Sequence, residues 1–100
     1  MSIDHINLAG VDLNLLVALD ALLAERSVTK AAARIGIGQS AMSHNLARLR
    51  ALFGDELLTR GPKGMRPTPR ALALIDPVRI ALALVHRDRA EQVGRWRLAL

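Results

Sequence analysis

The side chains with the clearest chemical capacity lie between residues 39 and 53, where apolar and polar residues recur at helical spacing. The apolar stripe consists of Met42, Leu46, Leu49 and Phe53. Another side of the same segment carries hydroxyl, imidazole and guanidinium groups, on Ser40, Ser43, His44 and Arg48, and the amide of Gln39 stands at the start of the helix. A helix with a buried back and a hydrogen-bonding, cationic front is what reading base edges in the DNA major groove requires. The spacing therefore predicts a DNA-reading helix.

Individual side chains of this helix suit different parts of a duplex. Gln39 can donate and accept at once, so it can form a bidentate pair with adenine. Ser43 can bond to a base edge or to a phosphate, whereas Arg48 and Arg50 are expected at phosphates or in solvent rather than at bases. The plainer alternative for each of these side chains is a solvated position on a helix surface.

Two short helices joined by a glycine-bearing turn must position these groups. The first is predicted over residues 27–35, because the Ser27 hydroxyl can accept a hydrogen bond from a free amide in the first turn. The turn Gly36-Ile37-Gly38 interrupts it. The second helix is predicted over residues 39–53 and ends at Gly54, which can adopt a left-handed cap.

A short β-hairpin is predicted after the second helix. Residues 57–60 and 65–68 can form two strands around the turn Gly61-Pro62-Lys63-Gly64, and such a hairpin is a wing. Thr68 then caps a further helix, with Pro69 at its first position, where the missing amide costs nothing.

Basic residues outside the reading helix are expected to attract the DNA backbone. Thr29 and Lys30 lie at the start of the first helix of the pair, where free amides and charge can hold a phosphate. Lys63 and Arg66 lie on the wing, where they add an attraction that does not depend on base sequence.

Two further helices flank this arrangement. One is capped by Asp12 and runs to about Glu25 with a leucine stripe. The other is apolar almost all round over residues 71–85, and Pro77 is expected to kink it or divide it in two. Its heptad-like seam predicts a homodimer interface, formed by Ile75, Val78, Leu82 and Val85. The alternative is a helix buried wholly in its own domain.

Length and composition indicate one small, mainly helical domain. The 100 residues are 51% apolar but only 2% aromatic, and there is no Cys. Leu, Ala, Ile and Val must therefore build the core, and disulfides and Cys-based zinc sites are excluded. No apolar run reaches the roughly 18 residues of a membrane span, and residues 1–10 carry no signal-peptide pattern. A cytoplasmic, nucleoid-associated chain with no membrane partner is expected.

Positive charge is concentrated on and after the helical pair. The chain has a net charge of +5, and residues 29–70 carry eight Lys and Arg against Asp55 and Glu56. Solvated surface charge is the plainer explanation. Because the charge coincides with the helix-turn-helix pattern, we favour phosphate binding.

The sequence gives little indication of a catalytic, metal-binding or cofactor-binding site. Residues 36–41 fit the dinucleotide fingerprint G-x-G-x-x-A, but a helical run precedes them instead of the required strand. His5, His44 and His86 lack metal-ligand spacing. Asp55 and its neighbour Glu56 make a poor acid/base pair. No active site, no metal and no cofactor are expected.

The order of these features resembles the amino-terminal DNA-binding domain of the LysR-type transcriptional regulators. The carrying stretches are DLNLLVALDALLAERSVTKAAARIGIGQSAMSHNLARLRALFGDELLTR and RPTPRALAL, and the resemblance covers residues 12 to about 86. It implies a mainly helical fold with a small β-wing: a winged helix-turn-helix followed by a long linker helix that dimerises.

The resemblance also bears on single residues. Gln39 and Ser43 match family positions that touch bases or phosphates, and Arg60 lies where the wing places an arginine at the minor groove. Gly38 replaces the usual serine cap, so a slightly weaker cap is expected. Ser40 stands where proline is common, and His44 stands where a basic residue is common.

The predicted division of the chain has four parts. These are a flexible leader (1–10), the winged helix-turn-helix domain (11–68, with the helix-turn-helix at 28–47 and the wing at 57–68), a dimerising linker helix (69–88) and a tail (89–100). Family members continue into a ligand-sensing domain, which these 100 residues do not contain. No small-molecule effector is therefore expected for this chain alone.

The leading hypothesis is a dimeric regulator that binds double-stranded DNA at an inverted repeat. One alternative is a winged-helix module that binds a protein through its apolar last helix. Another is an antagonist that forms mixed dimers with full-length relatives.

Overall fold

The computed structural model describes residues 12–99, with side chains described for residues 12–85. Four helices and a two-stranded hairpin make up these residues, in the order α1 (Leu13–Glu25), α2 (Val28–Ile35), α3 (Gln39–Phe53), β1 (Leu58–Gly61), β2 (Gly64–Pro67) and α4 (Pro69–Ala99). The predicted mainly helical fold with a small β-wing is confirmed. The predicted leader, residues 1–10, lies outside the described residues.

The three predicted amino-terminal caps are all formed. The Asp12 carboxylate accepts from the Asn14 amide at 2.9 Å, and the Ser27 hydroxyl accepts from the Lys30 amide at 3.2 Å. Thr68 accepts from the amide three residues later at 3.1 Å. Each cap satisfies an amide that the first turn of a helix leaves free, which fixes where α1, α2 and α4 begin.

Left-handed residues end the first three helices. Gly36 (φ 73°) and Gly54 (φ 60°) close α2 and α3, and Gly54 therefore acts as predicted. Arg26 closes α1 at φ 53°, a conformation that favours glycine and costs other residues roughly 1–2 kcal/mol. The tight turn at Arg26 brings α2 against α1.

The core lies between the first three helices and the start of β1. Its largest fully buried side chains are Leu19, Leu22, Met42, Leu49, Leu57 and Leu58. The predicted stripe of α3 is buried throughout, at Met42, Leu46, Leu49 and Phe53. Burial of this stripe fixes the rotation of α3 and turns its polar side to solvent.

The wing is an antiparallel pair with a two-residue turn. Its register pairs Leu58 with Pro67 and Gly61 with Gly64. Gly64 has φ 110°, which side chains rarely adopt, so the turn depends on glycine there. The strands begin and end within a residue of the predicted bounds.

Helix α4 begins at Pro69 as predicted and runs as one element to Ala99, past the predicted end at residue 88. Pro77 lies inside it, so the chain adopts the continuous alternative and not two pieces. Proline lacks the amide of an internal helical bond, and the bonds on either side of Pro77 suffice to continue the helix.

The predicted dimer seam of α4 also contacts the chain's own domain, and its role in a dimer stays a prediction. Val78 is only 6% exposed and belongs to the chain's own core, against which Ile75 and Leu82 also pack. Val85 is half-buried. An ion pair of 3.7 Å between Arg79 and Asp20 also joins α4 to α1. The seam therefore faces the domain body, because α1 offers it an apolar surface.

The free face of α4 lies on another side of the helix, where the exposed Asp76 stands between Leu72 and Ile80. Leu72, Ile80 and Leu84 are 50%, 62% and 58% exposed. The helix is thus neither buried wholly in its own domain nor free along the predicted seam.

Candidate nucleic-acid interface

All ten side chains predicted to touch DNA are exposed in the structure. Five of them belong to α3: Ser40, His44 and Arg48 project away from its buried stripe, and Gln39 and Ser43 lie exposed along the edge of that stripe. The same helix thus packs through one side and presents hydrogen-bonding groups on the other. Such a side can contact base edges and phosphates together.

The start of α3 leaves its first-turn amides without a side-chain cap. Gly38 precedes the helix in an extended conformation (φ −72°) and makes no capping hydrogen bond. This confirms the weaker cap expected from the sequence, a difference of a few tenths of a kcal/mol from serine. The uncapped amides, next to Gln39 and Ser40, add donors at the end of the helix that carries partial positive charge.

A groove joins the front of α3 to the wing. Thr29, Gln39, Ser43 and Arg60 line it together, with glycines of the hairpin on the far side. Thr29 and Gln39 come from the two helices of the pair, and Arg60 comes from β1. The fold therefore collects predicted base-contacting and minor-groove residues along one opening.

A second groove, of about 720 Å³, lies between the turn after α1 and the tip of the wing. Lys30, Lys63 and Arg66 line it, together with Arg26, which sequence reasoning did not single out. Gly64 and Met65 border both grooves, so the two adjoin. Ser40, His44 and Arg48 line neither groove and lie on the outer part of α3.

The cations of this surface are available for phosphates. Among the described side chains, the ion pairs are Arg34–Glu25, Arg50–Glu56 and Arg79–Asp20. None of them involves the basic residues of the predicted interface. Glu25, which borders the second groove, is held by Arg34 at 3.0 Å. The local potential is therefore positive, which favours a polyanion.

Arg50 does not behave as the sequence suggested. Its Nε donates to the Glu56 carbonyl at 2.7 Å, and one terminal nitrogen donates to the Leu58 carbonyl at 2.8 Å. The expectation for Arg50 is therefore incomplete: the side chain is still 35% exposed, but it also binds the backbone between α3 and the wing. A basic residue in the last turn of a helix is a known partner for nearby carbonyls, which is the signal that could have indicated this role.

Asp55 joins the two ends of the wing. One carboxylate oxygen accepts from the Leu57 amide at 2.8 Å and from the Thr68 hydroxyl at 2.6 Å. The hydrogen bond from Thr68, helped by that from Leu57 and by the charge of Arg70, lowers the pKa of Asp55, against an opposing effect of burial. The sequence signal for this role is an Asp two residues before a turn amide, which is typical of an Asx turn.

The described part of the chain offers neither a metal site nor a membrane-spanning helix. Among those residues, no three acidic or His side chains come together in a way that could hold a metal ion. None of the described helices has the length and apolar character of a membrane span.

Known proteins with similar sequences carry the name Nodulation protein D. The chain is 50% identical over 99 residues to Nodulation protein D 1 of Bradyrhizobium sp. (strain NC92), an alignment that covers 91% of this chain and 32% of that protein. It is 59% identical over 73 residues to Nodulation protein D 1 of Rhizobium meliloti (strain 1021), covering 73% of this chain and 24% of that protein. The chain thus spans about a third or less of these relatives.

Solved structures share the fold. The probable transcriptional regulator PA0477 from Pseudomonas aeruginosa matches with a TM-score of 0.73 and 43% identity, over 90% of this chain and 29% of that chain. The BenM_DBD/catB site 1 DNA complex matches with a TM-score of 0.76 and 26% identity, over 84% of this chain and 94% of that chain.

A family model gives the most direct assignment. The model described as "Bacterial regulatory helix-turn-helix protein, lysR family" matches residues 13–72. This range includes α1, α2, α3, the wing and the start of α4, so it contains both grooves. The chain belongs to the LysR family of bacterial regulatory helix-turn-helix proteins.

Proposed function

We propose that this chain is a DNA-binding domain of a transcriptional regulator and that it binds an inverted-repeat operator as a dimer. The observation that carries the proposal is the continuous surface formed by the polar front of α3 and the cations of the wing. The family membership and the likeness to a structure of BenM_DBD with DNA support the same function. A regulator of this kind acts on chromosomal DNA in the cytoplasm.

In this proposal α3 lies in the major groove. Gln39 pairs with an adenine edge, and Ser43, one turn further along, bonds to a base or to a phosphate. Ser40, His44 and Arg48 face the groove walls and the flanking backbone. The uncapped amides at the start of α3 point in the same direction and favour a nearby phosphate.

The wing and the start of α2 hold the flanking DNA. Arg60 enters the adjacent minor groove, which a guanidinium favours when the groove is narrow. Thr29 and Lys30 contact a phosphate at the start of α2. Lys63 and Arg66 contact the backbone beyond it, so their contribution depends on salt and not on base sequence.

Dimerisation is proposed through the free face of α4. Three large apolar side chains there, Leu72, Ile80 and Leu84, are at least half exposed. An apolar face of this kind on a helix favours burial against a second copy. A two-fold axis through such an interface would present two α3 helices to two half-sites of an inverted repeat.

Selection from a random DNA pool tests the proposal. The purified chain is incubated with the pool at moderate salt, and the retained DNA is sequenced. Enrichment of an inverted repeat is expected. Retention that disappears as salt rises and enriches no sequence would contradict sequence-specific reading.

The exposed apolar side of α4 also favours a second candidate, a module that binds a protein partner. A complex that survives nuclease and high salt, formed by a chain that enriches no DNA, would support this candidate. The concentration of unpaired cations around α3 argues for DNA.

A further inference from the structure

Arg50 connects the reading helix to the wing. It lies in the last turn of α3, and its guanidinium donates to the backbone carbonyls of Glu56 (2.7 Å) and Leu58 (2.8 Å). These carbonyls belong to the residues on either side of Leu57. A guanidinium has several N–H groups in a rigid fork, so one side chain can hold two acceptors at a fixed separation.

The segment that Arg50 holds is strained. Leu57 has φ 63°, and the Leu58 amide donates to the Glu56 carbonyl at 2.7 Å, which is the hydrogen bond of a three-residue turn. Turns of this kind with positive φ are rare, and they persist where the surroundings hold them. Arg50 holds the carbonyl side of the turn, and Asp55 holds the Leu57 amide at 2.8 Å.

The register of the hairpin explains why Leu58 needs this partner. The Thr68 amide donates to the Leu57 carbonyl at 2.9 Å, so the next pair, Leu58 with Pro67, is a non-hydrogen-bonded one. The Leu58 carbonyl therefore points away from β2, and Arg50 is the donor that reaches it. Leu58 is fully buried, and a partly buried carbonyl without a donor would weaken the start of β1.

Arg60 follows directly from this anchor. It lies two residues after Leu58 on β1, about 7 Å along the strand, and on the same face. It borders the groove that also contains Gln39 and Ser43. A shift at the start of β1 therefore moves Arg60 relative to the base-reading side of α3.

We infer that Arg50 is a positioning residue for DNA binding: it fixes the wing against the reading helix and so sets where Arg60 meets the DNA. The inference rests on the proposed function. Two of the five N–H groups of Arg50 are engaged by the two carbonyls, and the Glu56 carboxylate lies 3.6 Å from its Nε. In this inference Arg50 acts through the wing that these bonds hold.

A double-mutant cycle on DNA tests the coupling. Affinity for the selected operator is measured for Arg50→Ala, Arg60→Ala and the double variant. Arg50→Ala is expected to weaken binding roughly tenfold, the scale of one lost arginine contact. In the Arg60→Ala background the same change is expected to cost less than about twofold, because coupled residues are not additive.

The control cycle pairs Arg50→Ala with Gln39→Ala. These two losses are expected to multiply, since the anchor of the wing does not set the position of Gln39 on α3. If Arg50→Ala weakens binding equally with and without Arg60, the inference is overturned. A general loss of folded protein would also give equal effects in both cycles, so the cycles separate positioning from instability.

Amide hydrogen exchange without DNA supplies a second test. Arg50→Ala is expected to speed exchange in β1 and β2 at least about tenfold relative to the amides of α1, and Arg50→Lys is expected to restore part of the protection. The matched control is Arg34→Ala, which also removes an ion-paired arginine but lies away from the wing. It is expected to leave exchange in the hairpin unchanged.

The hydrogen-exchange measurement separates the positioning role of Arg50 from the proposed DNA binding. If the wild-type chain selects no DNA sequence, the proposed function fails, while exchange still reports on Arg50. Equal hairpin exchange in wild type and Arg50→Ala would overturn the positioning role whatever the DNA result.

Discussion

Single residues of the interface differ in how readily their roles follow from the sequence. Ser43 could be assigned to the exposed side of α3 from helical spacing, and Gln39 from its place at the start of the helix. Arg50 and Asp55 could not be assigned in the same way. Their partners are backbone carbonyls, a backbone amide and the Thr68 hydroxyl, which come within reach only after the chain has turned at Leu57.

Asp55 makes the base of the wing sensitive to acid. Its pKa is lowered in the folded chain, chiefly by the Thr68 hydroxyl. The charged carboxylate therefore stabilises the fold above the pKa of the unfolded chain, about 3.9, and this contribution is lost as pH falls through the lower, folded pKa. The melting temperature of wild type is therefore expected to fall below about pH 4, as measured by thermal unfolding.

The variant Asp55→Asn isolates this contribution. It is expected to be less stable than wild type at pH 7 and to lose less stability between pH 7 and pH 3. The matched control is Asp76→Asn on α4, whose carboxylate is exposed and accepts no side-chain hydrogen bond among the described residues. Equal acid responses in Asp55→Asn and wild type would show that Asp55 does not stabilise the wing.

At the scale of elements, the helix and strand bounds were predictable because their signals are local. A cap acts within one turn, so Asp12, Ser27 and Thr68 could be identified from the letters around them. The end of α4 was not predictable in this way. No capping signal stands at residue 88. The apolar pattern fades there, but such a pattern reports which residues pack and does not mark where the helical backbone ends, and α4 continues to Ala99.

The junction between α2 and α3 allows an element-scale prediction. At Gly38, φ is −72° and no atom lies within 4 Å of an added Cβ, so Gly38→Ser can add the missing cap without strain. We expect a gain of about 0.5 kcal/mol in the free energy of unfolding, measured with denaturant.

Gly54→Ser is the matched control. It introduces the same side chain into equally open space but at φ 60°, so a loss of about 1 kcal/mol is expected. Changes of the same sign at Gly38 and Gly54 would contradict this account of how the helix ends are fixed.

At the scale of the whole molecule, the sequence predicted that α4 has two apolar sides but not which side packs against its own domain. A helix that is apolar almost all round offers no polar face to orient it. The choice is made by α1, which covers Val78 and pairs Asp20 with Arg79. The large apolar side chains of α4 left most exposed are therefore Leu72, Ile80 and Leu84, whereas the predicted seam is partly covered.

Self-association tests which face is used. Ile80→Glu places a charge in the middle of the free face and is expected to weaken a dimer at least about tenfold, as measured by sedimentation equilibrium, without lowering the helix content. Ala24→Glu adds the same charge to an exposed position of α1 and is expected to leave the dimer unchanged. If the dimer forms equally well with Ile80→Glu, this face is not the dimer interface.

The central claim is that α3 reads bases while the wing holds phosphates. The most direct measurement compares Gln39→Ala with Lys63→Ala, determining for each the selected sequence and the dependence of affinity on salt. Gln39→Ala is expected to relax the preference at one position of each half-site and to keep the salt dependence. Lys63→Ala is expected to keep the selected sequence, weaken binding to all sequences about equally and reduce the salt slope by about 1. An unchanged salt slope for Lys63→Ala, together with an unchanged preference for Gln39→Ala, would contradict the account.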